Sequence, residues 1–508
     1  MLARIMSRGL NGIDGFSVTV EVDVSTGMPS YDLVGLPDLA VKESRERIRA
    51  ALKNSGFKYY FDRVIVSLAP ADTKKEGSIY DLPIAIGLLN ASGQINDSAI
   101  FEYAIMGELA LDGSVRAIRG VLPMVIGALE SGIKKVIIPY ENALEAAYID
   151  GIEIYAVKSL RETVSVIRKE GKITQYPLQH WDPDFLAGDI DFSDIRGQQG
   201  AKRAAEVAVA GGHNMLMVGT PGSGKTMLAK RIPSILPELM FEEALEITKI
   251  QSIAGELRDS GGLVTERPFR SPHHTSSCVS LVGGGTKARP GEISLSHYGV
   301  LFLDELPEFK KDVLEALRQP LEDGTVTISR ANARYTYPAE FILIAAMNPC
   351  PCGNSGSKVG VCRCSQPQIN KYRQRISGPL LDRIDIHIEM TEVPYDDIAG
   401  KKRGESSAEI RLRVNKARAL QRDRYKNEAL FFNAQLNGKF LEKYCPLNES
   451  AESLLRTAYN RLNLSARAFS RIKKVARTIA DLAGEEVISA SHIAEAIQYR
   501  SLDARYTL

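Results

Sequence analysis

Gly219-Thr-Pro-Gly-Ser-Gly-Lys-Thr226 is the stretch that decides the fold. It follows an apolar run, Met215 to Val218, and opens a helical pattern, so a strand should enter a glycine-rich turn and a helix should leave it. In that context Gly219, Thr220, Pro221, Gly222, Ser223 and Gly224 form a loop whose backbone N–H groups can curl around phosphate oxygens. The helix N-terminus adds partial positive charge, Lys225 reaches the β/γ-phosphates, and Thr226 offers a hydroxyl to Mg²⁺. The expected ligand is ATP with Mg²⁺.

Two further apolar strands carry chemistry at their ends. Val300 to Leu303 runs into Asp304-Glu305, and Phe341 to Ala346 runs towards Asn348. Adjacent carboxylates after a buried strand divide naturally into a metal-binding Asp304 and a general base, Glu305, for the attacking water. An amide such as Asn348 beside them can orient that water. Continuous apolar strands alternating with helices imply a buried parallel sheet.

The remaining composition is that of an ordinary globular protein: 508 residues, 44% hydrophobic, 25% charged, net charge +2. That length suits several domains, and the chemistry is spread along it accordingly. Residues 1–172 mix strand-like runs (Phe16 to Val24, Arg63 to Leu68, Lys135 to Pro139) with helical ones (Leu39 to Asn54, Leu82 to Ala91) and read as an α/β domain. Residues 173–194 lack either period and read as a linker, 195–392 as the nucleotide-binding core, and 393–508 as a helical lid. Within the lid, Ser465 is a natural N-cap for Ala466 to Leu482, and Gly484 is a natural stop. From Lys401 onward, 21 Lys and Arg face 12 Asp and Glu, a surplus of nine positive charges that suits a polyanion or a solvated helix surface. No stretch reaches the roughly 18 apolar residues of a membrane span, and the N-terminus lacks a signal-peptide pattern, so a cytoplasmic protein is expected.

In order along the chain, the phosphate loop, the Asp304-Glu305 strand end and Asn348 are similar to Walker A, Walker B and sensor 1 of the AAA+ ATPases. Leu380-Leu-Asp-Arg383-Ile-Asp385 resembles the arginine-finger segment of the AAA+ clade that includes magnesium chelatase and the minichromosome maintenance helicases. The resemblance implies that Arg383 serves a neighbouring subunit's ATP. Ser465-Ala-Arg467-Ala resembles sensor 2, which implies that Arg467 touches nucleotide, with Arg471 a second candidate one turn on.

Two insertions fit the same clade. Thr325 to Arg330 and Arg334 to Tyr337 alternate with period two around Ala331-Asn-Ala333, a hairpin whose Arg330, Arg334 and Tyr335 could grip DNA phosphates and bases in a ring's channel. Glu256 to Gly285 looks like a helix-2 insert. It contains His273-His274, two neighbours that would point opposite ways in an extended segment and so make poor joint metal ligands.

Upstream, Gly107-Glu-Leu-Ala-Leu-Asp-Gly-Ser-Val115-Arg-Ala-Ile-Arg-Gly120 and Gly132-Ile-Lys-Lys-Val-Ile-Ile-Pro139 resemble the Lon protease proteolytic domain. Ile79 and Leu122 stand where its serine and lysine would fall, although Ser78 and Lys75 lie nearby. A Lon-like N-domain without its dyad, a chelatase-type AAA+ core and a helical C-terminal lid resemble the ComM family, also called YifB or magnesium chelatase-like proteins. That resemblance implies a homo-hexameric ring acting as a branch-migration helicase on single-stranded or branched DNA in recombination and natural transformation. A chelatase subunit and a protein-remodelling ATPase are the alternatives.

Four of the six cysteines, Cys350, Cys352, Cys362 and Cys364, fall in two C-x-C pairs. They offer enough thiolates for a tetrahedral structural Zn²⁺, or they form two pairs of reduced thiols on a loop.

Overall fold

A computed structural model describes residues 1–59, 63–95, 98–170, 174–182, 190–257, 262–285, 288–330, 333–357, 360–394, 404–428, 430–462 and 464–500. The chain divides into two compact units, Met1–Asp182 with Phe241–Val264, and Pro183–Met240 with Thr265–Leu508. No helix among the described residues is long and apolar enough to cross a membrane.

The first unit is built on a seven-stranded sheet ordered Ser30–Val34, Arg63–Ala69, Asp14–Ser25, Leu2–Asn11, Tyr103–Ile105, Lys135–Pro139 and Glu153–Val157. Leu2–Asn11 and Asp14–Ser25 pair antiparallel from Leu2↔Asp23 to Asn11↔Asp14, and Asp14–Ser25 pairs antiparallel with Arg63–Ala69. Period-two alternation puts Val18, Val20, Val22, Val64, Val66 and Leu68 inside. The helix Asp81–Ala91, apolar on nearly every face, is buried almost completely in this core. Leu39 to Asn54, expected as one helix, is two, Leu39–Lys42 and Ser44–Asn54, divided at Glu43.

Ile79 and Leu122, the residues expected at the positions of the Lon dyad, are both buried. Ser78 donates its hydroxyl hydrogen bond to Glu108, and Lys75 donates to the carbonyls of Thr73, at 2.7 Å, and Pro70. The nearby serine and lysine are thus each engaged elsewhere.

Phe241–Val264 departs from a core that runs unbroken over 195–392, because its apolar face belongs to the first unit. In the helix Phe241–Ala254, Ser252 is buried and its hydroxyl donates to Glu145 at 2.7 Å while accepting from Gly120 N at 3.0 Å. The expected linker 173–194 lies partly outside the described residues. Within it, Tyr176 N donates to Ile154 O and Gln179 N to Ala147 O, so that end is docked on the first unit, while Phe192 is fully buried in the second.

In the second unit five strands run parallel in the order Phe269–Arg270, Val300–Leu303, Ile342–Met347, Met215–Gly219 and Ile386–Met390. The central strands are buried almost throughout, as their uninterrupted apolar sequences require. The helices that follow, Ser407–Tyr425, Gly438–Tyr444, Glu449–Arg461, Ala466–Ala483 and Ala490–Gln498, fall in the same compact unit as the sheet. Ser465 caps Ala466–Ala483 by accepting from Ala468 N, and Gly484 ends it at φ 75°. Asp481 of this helix is fully buried and held by Arg424, Arg477 and Asn433. Removing one partner of such a network would strand a buried charge.

Burial pushes the Glu145 carboxyl up to about 7, against the hydrogen bonds from Ser252 and Asn142. The folded chain therefore keeps a proton that the unfolded chain releases near its ordinary carboxylate value. Stability should fall by roughly 3 kcal/mol as pH rises through that window and level off above it. Glu145→Gln should flatten this decline when thermal unfolding is compared at pH 5.5 and 8; parallel curves for both proteins would refute it.

Candidate functional site

Chemistry gathers at the C-terminal edge of the parallel sheet, where ligands of open α/β sheets bind. Met215–Gly219 ends in the phosphate loop, Val300–Leu303 in Asp304, and Ile342–Met347 in Asn348. Parallel register between Met215–Gly219 and Ile342–Met347, Val218 opposite Met347, brings the first and third of these ends side by side. Val300–Leu303 flanks Ile342–Met347 on its other side and delivers the acids.

The loop is shaped by its glycines. A Cβ at Gly219 would come within 2.5 Å of Met390 O on the adjacent strand, and Gly224 caps the helix Lys225–Arg231 at φ 91°. Lys225 Nζ donates to Gly219 O at 2.6 Å, Thr220 O at 2.9 Å and Asn348 Oδ1 at 3.2 Å. Its burial lowers its pKa, and the fields of Asp304 and Glu305 oppose that. The hydroxyls of Thr220 and Ser223 are buried and without hydrogen-bond partners among the described residues. Such unsatisfied donors fit a loop that receives phosphate oxygens.

Thr226 Oγ1 lies 2.7 Å from Asp304 Oδ2, and Asp304 Oδ1 accepts from Glu305 N at 2.9 Å. A hydroxyl beside a carboxylate is the hard-oxygen set that Mg²⁺ takes. Glu305 itself sits at φ 52°, a left-handed conformation that non-glycine residues seldom adopt, and its side chain is half exposed. The turn after it is fixed by Arg375, which donates to Pro307 O and to Glu308.

His274 was not singled out for this site by sequence, yet its Nδ1 stands 3.4 Å from Glu305 Oε2. The expectation that His273 and His274 point apart fails, because His273 O accepts from Ser276 N in a turn rather than lying in an extended strand. Their rings lie 4.1 Å apart between centroids, and His274 also meets Phe309 edge-on. The His-His doublet before Thr275 was visible in the sequence; the turn that folds it back onto the acids was not.

Arg383 and Arg467 gather elsewhere. Both line a cleft of about 620 Å³ with Arg471, Lys474, Asp382 and Glu322, and no residue of Gly219–Thr226 lines it. Arg383 donates to Glu322 and, at 2.7 Å, to Pro379 O, while Arg467 pairs with Asp382 at 3.2 Å. Beneath them Asp385 is buried, but the His213 ring together with Lys474 and Arg471 brings its pKa down to about 2. His213 bridges Asp385 at 3.0 Å and Thr478 at 2.8 Å, tying the strand-side acid to the helix that carries Arg467. The sequence-predicted nucleotide residues thus form two groups, Lys225, Thr226, Asp304, Glu305 and Asn348 in one, Arg383 and Arg467 in the other.

The expected hairpin is present as Thr325–Arg330 paired with Ala333–Pro338, Ile328 opposite Tyr335 and Ser329 opposite Arg334. Val326, Ile328 and Tyr337 are buried, and Tyr337 donates its hydroxyl to Ala288 O, just past the other insertion, so one face of the hairpin is packed. Tyr335 shares that inner face and is half-buried, whereas Arg334 projects on the exposed one. The side chain of Arg330 and the tip residues Ala331 and Asn332 lie outside the described residues.

Cys350, Cys352, Cys362 and Cys364 converge, with all four sulfurs within 4.8 Å of one another and none in a disulfide. Backbone N–H groups of Asn354 and Arg363 hold Cys352 down to about 6, while, against a backbone hydrogen bond from Cys352, desolvation and then the neighbouring thiols push Cys364 up.

The chain matches the models for magnesium chelatase, subunit ChlI, over residues 191–398, for subunit ChlI of Mg-chelatase over 20–142, and for the ChlI C-terminal segment over 404–500. It is 45% identical over 506 residues to competence protein ComM of Haemophilus influenzae, covering 99% of this chain and 98% of that protein. It is 42% identical over 504 residues to the uncharacterized protein YifB of Escherichia coli, covering 99% and 97%. Lon protease 2 of Bacillus subtilis is 35% identical over 161 residues, covering 30% of this chain and 28% of that protein. The chain belongs to the ComM/YifB family of magnesium chelatase-like AAA+ proteins.

Proposed function

We propose that this protein is an ATPase motor that assembles into a homo-hexameric ring in the cytoplasm and moves single-stranded or branched DNA, driving branch migration in recombination. The observation that carries this reading is the separation of Arg383 and Arg467 from the chain's own phosphate loop. A cation group that faces away from its own ATP is positioned to serve the ATP of a neighbour. Hydrolysis would then require assembly, because the charge developing on the transferred phosphoryl needs an arginine that the binding chain does not supply.

Within one chain the distances support a division of labour. Lys225 neutralises phosphate charge from a site already lined by carbonyl oxygens, so it exchanges those partners for phosphate without moving far. Thr226 and Asp304 would hold Mg²⁺, which when bound neutralises charge between the β- and γ-phosphates. Asn348, joined to Lys225, orients the attacking water, and Glu305 accepts its proton. His274 positions the Glu305 carboxylate. Arg334 on the exposed hairpin face supplies the phosphate contact to DNA. The competence role named for the Haemophilus relative suits such a motor. A structural zinc ion held by Cys350, Cys352, Cys362 and Cys364 belongs to the same reading.

ATPase activity measured with single-stranded DNA, branched DNA, unfolded protein and a porphyrin in turn should rise with the two DNAs alone. Failure of DNA to bind or stimulate would overturn the motor reading. Glu305→Gln should bind ATP normally and lose turnover by on the order of 10³-fold. His274→Ala should lower kcat by roughly 10-fold with little change in ATP affinity, and His274→Asn should recover part of it; a loss confined to ATP affinity would contradict a positioning role.

A further inference from the structure

Three of the four sulfurs stand at the spacing of a tetrahedron's corners, and that of Cys364 lies within 4.8 Å of them. Cys350 Sγ lies 3.4 Å from Cys352 Sγ and 3.7 Å from Cys362 Sγ, and Cys352 Sγ lies 3.7 Å from Cys362 Sγ. Zinc–sulfur bonds of about 2.3 Å place the corners of a tetrahedron roughly 3.8 Å apart. Ser355 N donates to Cys350 Sγ at 3.3 Å, so a backbone amide already supports that sulfur.

The cluster's surroundings connect it to nucleotide chemistry. Cys350 follows Asn348 by two residues, and Asn348 holds Lys225. Gly353, inside the first C-x-C turn, faces the phosphate loop so closely that a Cβ there would lie 2.7 Å from Cγ and Cδ of Pro221. On the far side, Cys364 adjoins Ser365, which caps the helix Gln366–Arg373. That helix returns to the start of the loop, where Arg373 donates to Pro349 O at 3.4 Å and the Asn348 backbone N–H faces the Tyr372 hydroxyl. Both ends of the cysteine loop therefore converge on Asn348 and Pro349, and its turn abuts Pro221.

We infer that zinc bound by Cys350, Cys352, Cys362 and Cys364 braces the nucleotide site, setting Asn348 and Pro221 in place so that loss of the metal weakens ATP binding and turnover. This rests on the zinc reading given above. The physical reason is loop closure: four metal bonds fix a 15-residue segment that would otherwise sample many arrangements, and Asn348 sits at its root. Misplacing a catalytic amide by about 1 Å is enough to cost up to 10²-fold in rate.

The full chain, purified without added metal, should carry close to one zinc per chain by elemental analysis. A Cys362→Ser, Cys364→Ser double variant, both residues on the side of the cluster away from Pro221 in sequence, should lose the zinc. Its affinity for a fluorescent ATP analogue and its kcat should each fall on the order of 10-fold. If that variant does not fold, the wild-type chain is stripped with a chelator, returned to Mg²⁺-containing buffer and assayed before and after Zn²⁺ is added; activity should return with Zn²⁺ and not with Mg²⁺ alone. Zinc near zero in the purified chain overturns the zinc reading and this inference together. Zinc at one per chain whose removal leaves ATP binding and turnover unchanged overturns the brace alone.

Discussion

The ammonium of Lys225, held between the carbonyls of Gly219 and Thr220 and the amide of Asn348, is the contact on which the nucleotide site depends. It ties the first loop of the parallel sheet to the end of the neighbouring strand, and a buried cation tolerates such a position only when every proton has an acceptor. The sheet supplies the geometry. Because Met215–Gly219 and Ile342–Met347 pair in parallel, their C-terminal ends open on the same edge, and Val300–Leu303 delivers Asp304 and Glu305 to it. The unusual backbone at Glu305 is stabilised by this frame rather than by local preference: Asp304 accepts its N–H, and Arg375 pins the following turn.

A second cationic group balances the first from the opposite part of the same unit. Arg467 rests on Asp382 in an exposed pairing of the kind that costs little to exchange for a phosphate, whereas Arg383 is mostly buried and holds the exposed carboxylate of Glu322. Behind them the His213, Asp385 and Thr478 bridge is buried and fixes the spacing between the sheet and the helix Ala466–Ala483. Arginines held by exposed acids on a rigid buried support suit the proposed site shared between copies of one chain. The cysteine loop abuts the phosphate loop at Pro221, and none of its described residues lines the Arg383 cleft.

Much of this was legible in the sequence because the decisive signals are local. A glycine loop between an apolar strand and a helix, acids at a strand end, a Ser cap and a Gly stop each act through neighbours within a few residues, and the lid helix runs within one residue of its expected span. The hairpin followed from alternation, although Ala333, expected in the connector, opens the second strand opposite Arg330. Long-range facts were not legible. Nothing in Phe241–Ala254 announces that Ser252 meets Glu145, more than a hundred residues away, and so that segment groups with the first unit. The placement of His274 against Glu305 depended on a turn whose residues carry no strong turn signature. Likewise, the resemblance already gave Arg383 to a neighbouring chain's ATP, while Arg467 was named only as a nucleotide residue and the structure alone sets it apart from Lys225 within one chain.

The shared site is the central claim, and mixing two inactive variants tests it directly. Lys225→Ala chains lack the phosphate-binding cation, and Arg383→Ala chains lack the cation offered to a neighbour. Each alone should have little ATPase activity, yet mixed assemblies should regain a measurable fraction, since an Arg383→Ala chain with an intact phosphate loop can receive Arg383 from an adjacent Lys225→Ala chain. Mixtures that stay as inactive as their components, with co-assembly verified by exchange of labelled chains, would contradict it.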